Sequence, residues 1–255
     1  LHDGMGRFDL DIQANEKFYL EWMDDKGALQ QTYLPNAKPT GVSLKLALVK
    51  NDIVFNLVNK LPKDSLHILM YLYQKVFYKT DIAVSPEEPF TARVPVKTLP
   101  TGIIQLTVFD ADWQPVAERV AFLNNNNYLS GVTIKNTETS TKKRGKNTIE
   151  IEVTDTIASN MSLSITDAEM NNEADASTIV SDLLLSADVK GYIHDPAYYF
   201  TSTTDSTLKA NLDLVMLTHG WRRYNWDNML ATKMPVITYS PDNYLSVDGQ
   251  VSKNI

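Results

Sequence analysis

The sequence predicts a mainly β protein made of two consecutive β-sandwiches, and three observations carry that expectation. The stretch Thr101–Leu123 consists of two β-type runs joined by a short polar turn. Before it, strand-like runs recur at near-regular spacing with turn residues between them, which is the pattern of a sandwich. After it, four asparagines (Asn124 to Asn127) interrupt the pattern, and the strand-like runs then begin again.

Within the central hairpin, Ile104, Leu106 and Val108 alternate with Gln105 and Thr107, the period of a strand with one buried face. Asp110, Asp112 and Pro115 supply the turn chemistry. Val116, Val120 and Phe122 then resume on one parity, with Arg119 on the other and Glu118 breaking the pattern near an edge. This hairpin is expected to be the last strand pair of the first sandwich. The asparagines, unable to pack a core, are expected to be a linker.

Taken in order, Phe8, Leu10 and Ile12 predict a first strand, Lys17–Met23 a second and Ala28–Leu34 a third. The loop after these carries Pro35 and Pro39, which stay out of a ladder. Val42, Leu44, Leu46 and Leu48 alternate, as do Ile53, Phe55 and Leu57, with Asn51 and Asp52 as the turn between them. Ser65–Val84 is read as a strand pair, with a helix through Leu66–Tyr73 as the competing reading. Phe90–Val96 adds another strand, and Pro100 and Gly102 feed the hairpin. Beyond the asparagines, Tyr128–Asn136, Thr148–Thr154 and Met161–Ile165 are predicted strands, and the polar, acidic Ala168–Ala176 a loop. Two helices follow. In the first, Ser177–Val189, the residues Ile179, Val180, Leu183, Leu184 and Ala187 recur at helical spacing before Gly191. In the second, Leu208–Leu230, Leu212, Val215, Met216 and His219 share one side.

Bulk properties narrow the function. A net charge of −7 offers no basic surplus to neutralise phosphates, so a nucleic-acid partner is not expected. The basic run Lys142-Lys143-Arg144 with Lys146 is a solvated turn. With no cysteine, disulfides, thiolate metal sites and cysteine nucleophiles are all excluded. No apolar run approaches the roughly 20 residues of a membrane-spanning helix. Leu1–Gly4 is no signal peptide, and both ends are expected to be those of a piece of a larger protein.

Motifs for chemistry are sparse. His2, His67, His194 and His219 show no metal-binding spacing. His219 is read as a hydrogen-bonded packing residue. His194 and Asp195 form a candidate orienting pair, but no serine elbow accompanies them. Asp110-Ala111-Asp112 resembles half of a calcium loop without its later glycine and glutamate, and a hairpin turn explains it better. No catalytic residue and no cofactor is assigned. The most unusual segment is Trp221-Arg222-Arg223-Tyr224-Asn225-Trp226, whose residue types are enriched in interaction hot spots. Its competing role is to pack a helix end onto a sheet. Trp221, Arg222, Arg223, Tyr224 and Trp226 are therefore the candidate interaction residues.

Several stretches resemble the macroglobulin-like group of Bacteroidetes-type cell-envelope proteins. They are Leu99–Leu123, Ile151–Asp155, Ser164–Asp167, Leu183–Phe200 (LLLSADVKGYIHDPAYYF) and Leu214–Trp226 (LVMLTHGWRRYNW). The resemblance implies tandem Ig-like, macroglobulin-type sandwiches: residues 1–125, then 126–240 with a helical insertion or extension. Residues 241–255 would start a further, carboxypeptidase-regulatory-like β-domain, since Ser246–Val251 is similar to its first strand. In that group such domains often lead into a TonB-dependent receptor plug. Two departures stand out. Asp155–Ala158 lacks the usual turn pattern, and without cysteine there is no thioester for trapping proteases.

The implied role is a non-catalytic structural or interaction module of an exported envelope protein, periplasmic or associated with the outer membrane. Its partners would be other envelope proteins or neighbouring domains of the same chain. The alternative is a glycan-binding or adhesin-like module with Trp22, Trp113 and tyrosines as a stacking platform.

Overall fold

Apolar alternation between Val42 and Leu123 produces seven strands, and their order shows how they cover one another. In the computed structural model the described residues are 2–10, 12, 16–154, 161–163, 177–219, 224–233 and 236. The strands are β1 (Tyr19–Met23), β2 (Leu29–Tyr33), β3 (Val42–Val49), β4 (Asp52–Asn59), β5 (Ser65–Leu72), β6 (Lys75–Ala83), β7 (Phe90–Pro95), β8 (Gly102–Phe109), β9 (Pro115–Leu123), β10 (Val132–Glu138) and β11 (Thr148–Val153). Helices are α1 (Ile179–Leu184), α2 (Ser206–Thr218) and α3 (Trp226–Leu230). The chain forms two compact units, Leu1–Trp221 and Arg222–Ile255.

In the first unit, β3-β4-β7 and β6-β5-β8-β9 are antiparallel sheets that face each other as a sandwich. Between them, Ile53, Phe55 and Leu57 of β4 meet Leu66, Ile68 and Met70 of β5 and Ile104, Leu106 and Val108 of β8. The edge strands β3 and β9 lie beside each other. The hairpin β8–β9 is indeed the last strand pair of this sandwich. The fold is mainly β, as expected, and Ser65–Val84 is a strand pair rather than a helix.

A third layer corrects the expected parity of the hairpin. All eight residues of β8 are buried, not every second one. Its outer face carries Ile103, which packs with Val120 and Phe122 of β9 against Leu185, Val189, Ile193, Tyr199, Leu212 and Met216 from the helical segment. Val120 and Phe122 therefore face helices, while Leu123 faces the sandwich core. The helices, expected to accompany the second set of strands, cover the first sandwich instead. Arg119 joins the layers by donating to Asp213 of α2 at 2.5 Å.

Local chemistry fixes the connections. The β5–β6 turn places Tyr73 and Gln74 at φ +48° and +64°, the two left-handed residues of a type I′ hairpin. The Tyr73 hydroxyl donates to the Thr101 carbonyl. That contact explains Gly102, because a Cβ there would lie 2.5 Å from the Tyr73 hydroxyl oxygen. The asparagine run is more than a linker. Asn125 Nδ2 donates to the carbonyls of Val96 and Leu99 at 2.8 and 2.7 Å, and Asn127 Oδ1 accepts from the Thr101 amide and hydroxyl at 2.9 Å. Four hydrogen bonds from two side-chain amides thus stitch the end of β9 to the loop that enters β8.

Other expectations need adjustment. Residues 6–10 form no strand, and Phe8 and Leu10 are exposed. In place of one long first helix there is the single-turn α1, capped by Thr178, followed by a 3-10 turn at Ser186–Asp188. Its buried residues are Ser181, Leu185 and Val189, whereas Ile179 and Leu183 are exposed. In α2 the expected side is buried through Leu212, Val215 and Met216, and the helix stops at Thr218 with His219 as its cap. Among the described residues after Asn127, the strands are β10 and β11, a two-stranded antiparallel sheet. Met161–Leu163 is not strand. Ala168–Ala176, the turn at Asp155–Asn160 and Ser246–Val251 lie outside the described residues.

Phe122 belongs to the helical-layer cluster and meets Phe200 edge to face, so it reports on the coupling of that layer to the sandwich. Phe122→Ala should lower stability by about 3–5 kcal/mol, as large core truncations do, within a single urea transition seen equally by helix and strand signals. Helix and strand signals that separate in wild-type protein, or a variant with unchanged midpoint, would show that the layers are independent.

Candidate functional site

Two hairpins carry apolar residues that no described residue covers. On β1–β2, Trp22 is 51% exposed, Met23 69%, Leu29 65% and Tyr33 67%. Tyr19 and Tyr33 pair across the strands at 5.9 Å, and the Trp22 indole donates to the Thr32 hydroxyl at 3.1 Å. On β10–β11, Val132, Ile134 and Ile149 are exposed as well. By register Tyr19, Met23, Leu29 and Tyr33 share one face of β1–β2 and Trp22 lies on the other. A two-stranded hairpin is marginal by itself, and exposed apolar surface marks a site of contact.

The β1–β2 turn repeats the β8–β9 turn. Asp24 Oδ1 accepts from the amides of Lys26 and Ala28, and Gly27 sits at φ +75°. Asp110 Oδ1 accepts from the amides of Asp112 and Gln114, and Trp113 sits at φ +60°. The Ala28 and Gln30 bonds hold the Asp24 carboxyl below its ordinary value. One local design thus occurs twice, once covered on both faces and once bare.

The candidate interaction residues divide. Trp221, Arg222 and Arg223 lie outside the described residues. Tyr224 and Trp226 belong to the second compact unit, where their rings meet at 5.5 Å with a 46° tilt. Trp226 opens α3, which Asn225 caps by accepting from the Asn228 amide at 3.0 Å.

Of the two tryptophans read as a stacking platform, Trp22 lies on the β1–β2 hairpin and Trp113 in the β8–β9 turn. Trp113 stacks on His67 at 4.0 Å and 5°, with the Lys79 ammonium 5.3 Å from the ring centre. His67 Nδ1 in turn lies 2.6 Å from Asp81. Asp112, the other acid of the supposed calcium half-loop, pairs with Lys63 at 2.7 Å. The half-loop is a turn. His219, read as a packing residue, is hydrogen-bonded to Thr218 and to the Tyr192 carbonyl.

A cluster that sequence reasoning missed ties the start of the chain to the helical layer. His2 Nε2 is 2.8 Å from the Tyr199 hydroxyl and 3.3 Å from Asp3, and its ring stacks on Tyr198. His194 pairs with Asp3 at 3.5 Å; the expected orienting partner was Asp195. Asn211 of α2 donates to the Tyr198 hydroxyl. Burial, then the Asp3 carboxylate, pushes the Tyr199 phenol up to about 12. Contacts spanning nearly two hundred positions leave no periodic trace in a sequence.

No protein-family model matches the chain, and no curated protein matches it significantly.

The Tyr199 shift has a definite sign. Its folded value lies above the ordinary tyrosine value of about 10, so the native state keeps a proton that the unfolded state loses. The stabilisation is complete below about pH 10 and disappears as pH rises through 12. Tyr199→Phe should therefore flatten the fall of the urea midpoint between those values relative to wild type. Parallel curves would show that Tyr199 is not perturbed.

Proposed function

We propose that this chain is a non-catalytic structural and interaction module of an exported cell-envelope protein of macroglobulin-like type, working beside a TonB-dependent outer-membrane transport system. Its partner is another envelope protein or a neighbouring domain of the same chain, on the periplasmic side or at the outer membrane. The observation that carries this reading is the bare β1–β2 hairpin. It has the turn of the buried β8–β9 hairpin but keeps Trp22, Met23, Leu29 and Tyr33 in solvent. Burying four such side chains is worth several kcal/mol at about 25 cal/mol per Å2, enough to make a contact surface of the hairpin. The resemblance through Leu183–Phe200 and Leu214–Trp226 supplies the envelope setting. Among the described residues no helix is long and apolar enough to cross a membrane.

The test is retention of a partner from an envelope extract by immobilised wild-type protein and by a Trp22→Ser, Leu29→Ser double variant. The variant should keep its melting temperature, because neither residue contributes to the sandwich core, and should lose retention at least tenfold. Equal retention by both proteins would refute the hairpin as the contact surface. Turnover of a hydrolase substrate abolished by one carboxylate change would refute the non-catalytic reading itself.

A further inference from the structure

A cleft of about 410 Å3 opens where β3, the end of β9 and α2 meet, within the first compact unit. That volume lies in the range of small-molecule sites, roughly 300 to 1,000 Å3. The walls come from three directions. β3 contributes Leu46, which also packs on the sandwich core, and β9 contributes Phe122 from the helix-facing layer. On α2, Lys209, Leu212, Asp213 and Met216 stand at spacings of three, four and seven residues, which puts them on one side of the helix. Leu212 and Met216 are buried at its base.

Charge around the cleft runs against the rest of the molecule. The chain has a net charge of −7, yet Arg7, Lys50 and Lys209 all line this opening. None of the three makes an ion pair among the described residues. Asp213 is the lone acid of the lining, and it is neutralised by Arg119, which is largely buried. The Ser202 and Thr203 hydroxyls add hydrogen-bonding groups to the lining. Each cation is placed by its own local structure: Lys50 by the β3–β4 turn at φ +57°, Lys209 by the first turns of α2, and Arg7 by the segment that His2 fastens to Tyr199.

An apolar base with three unpaired cations in its lining suits one kind of ligand. We propose that this cleft binds a small single-chain amphiphile with an anionic head. Its hydrocarbon part lies against Leu46, Phe122, Leu212 and Met216, while its carboxylate or phosphate is held by Arg7, Lys50 and Lys209. The apolar contact gives affinity with little selectivity, and the cations select the charge of the head. Exposed cations are screened by salt, so binding weakens as ionic strength rises.

Calorimetric titration below the micelle concentration tests this with four probes on the intact chain: decanoate, decanol, decyltrimethylammonium and inorganic phosphate. Decanoate should bind one to one, with decanol at least tenfold weaker. Decyltrimethylammonium should be weaker still, and phosphate alone should give no saturable heat. Lys50→Glu with Lys209→Glu should weaken decanoate at least tenfold and leave the thermal melt unchanged, since both side chains are exposed. Methyl shifts confined to Leu46, Leu212 and Met216 on adding decanoate would place the ligand in the cleft. The proposal is overturned if decanoate does not bind, if decanol matches it, if the double variant binds it as wild type does, or if the shifts fall elsewhere.

Discussion

Burial of β8 on both faces is the constraint from which the first compact unit follows. A strand with one wet face can alternate apolar and polar residues, but β8 has sandwich core on one side and a further layer on the other. Its outer neighbours on β9 must then be apolar too, and Val120 and Phe122 meet that need. The helical segment is held there by its apolar side chains, by the Arg119–Asp213 pair and by the His2–Tyr199 contact. The entry to β8 is correspondingly tight, with Gly102 beneath the Tyr73 ring and the asparagines bonded to the adjoining loop. In such a place a side chain has little room to shift, so packing at β8 couples the two layers.

Much of this was legible in the chain, and the parts that were not have a physical pattern. Alternation located β3 to β9 closely, because period two is set by backbone geometry and survives any tertiary context. The Asp110 turn was legible for the same reason: an aspartate accepting the amides two and four residues on is local chemistry. What alternation cannot say is which of two buried faces looks where. Val120 and Phe122 were placed on the buried side, correctly, but that side belongs to the helices. Helical spacing picks out the packing face of the first helix only in part: Leu184 packs on the cluster, but Ile179 and Leu183 are exposed while Ser181 and Leu185 are buried. The asparagine run shows no apolar pattern because its role is hydrogen bonding to a loop more than twenty positions away. Phe8 and Leu10 alternate, yet no strand among the described residues pairs with them.

The two matching turns sharpen the same distinction. Asp24 and Asp110 close hairpins of one geometry, so the local sequence determines the hairpin and its register in both cases. Whether the hairpin then becomes interior or surface depends on what the rest of the chain brings to it. Around β8–β9 five more strands and a helical layer arrive; around β1–β2 no described residue does. A hairpin with Trp, Met, Leu and Tyr outward is tolerated in isolation only at a cost in solvation, and that cost is recovered when something covers it. The exposed surface is thus a consequence of the fold and also the ground for the proposed role in contact.

The chemistry-bearing side chains point the same way. Catalysis by a histidine or carboxylate needs a group that can exchange partners and protons as a reaction proceeds. Here the four histidines act as ties: His2 and His194 to Asp3, His67 to Asp81 and beneath Trp113, His219 to the Tyr192 carbonyl. Asp24 and Asp110 are taken up by turn amides, Asp112 by Lys63 and Asp213 by Arg119. Each of these bonds joins elements or closes a turn, so displacing one would loosen the framework. These polar groups serve the geometry of the framework, and the proposed contact and ligand-binding roles rest on the apolar faces and the cations that it leaves open.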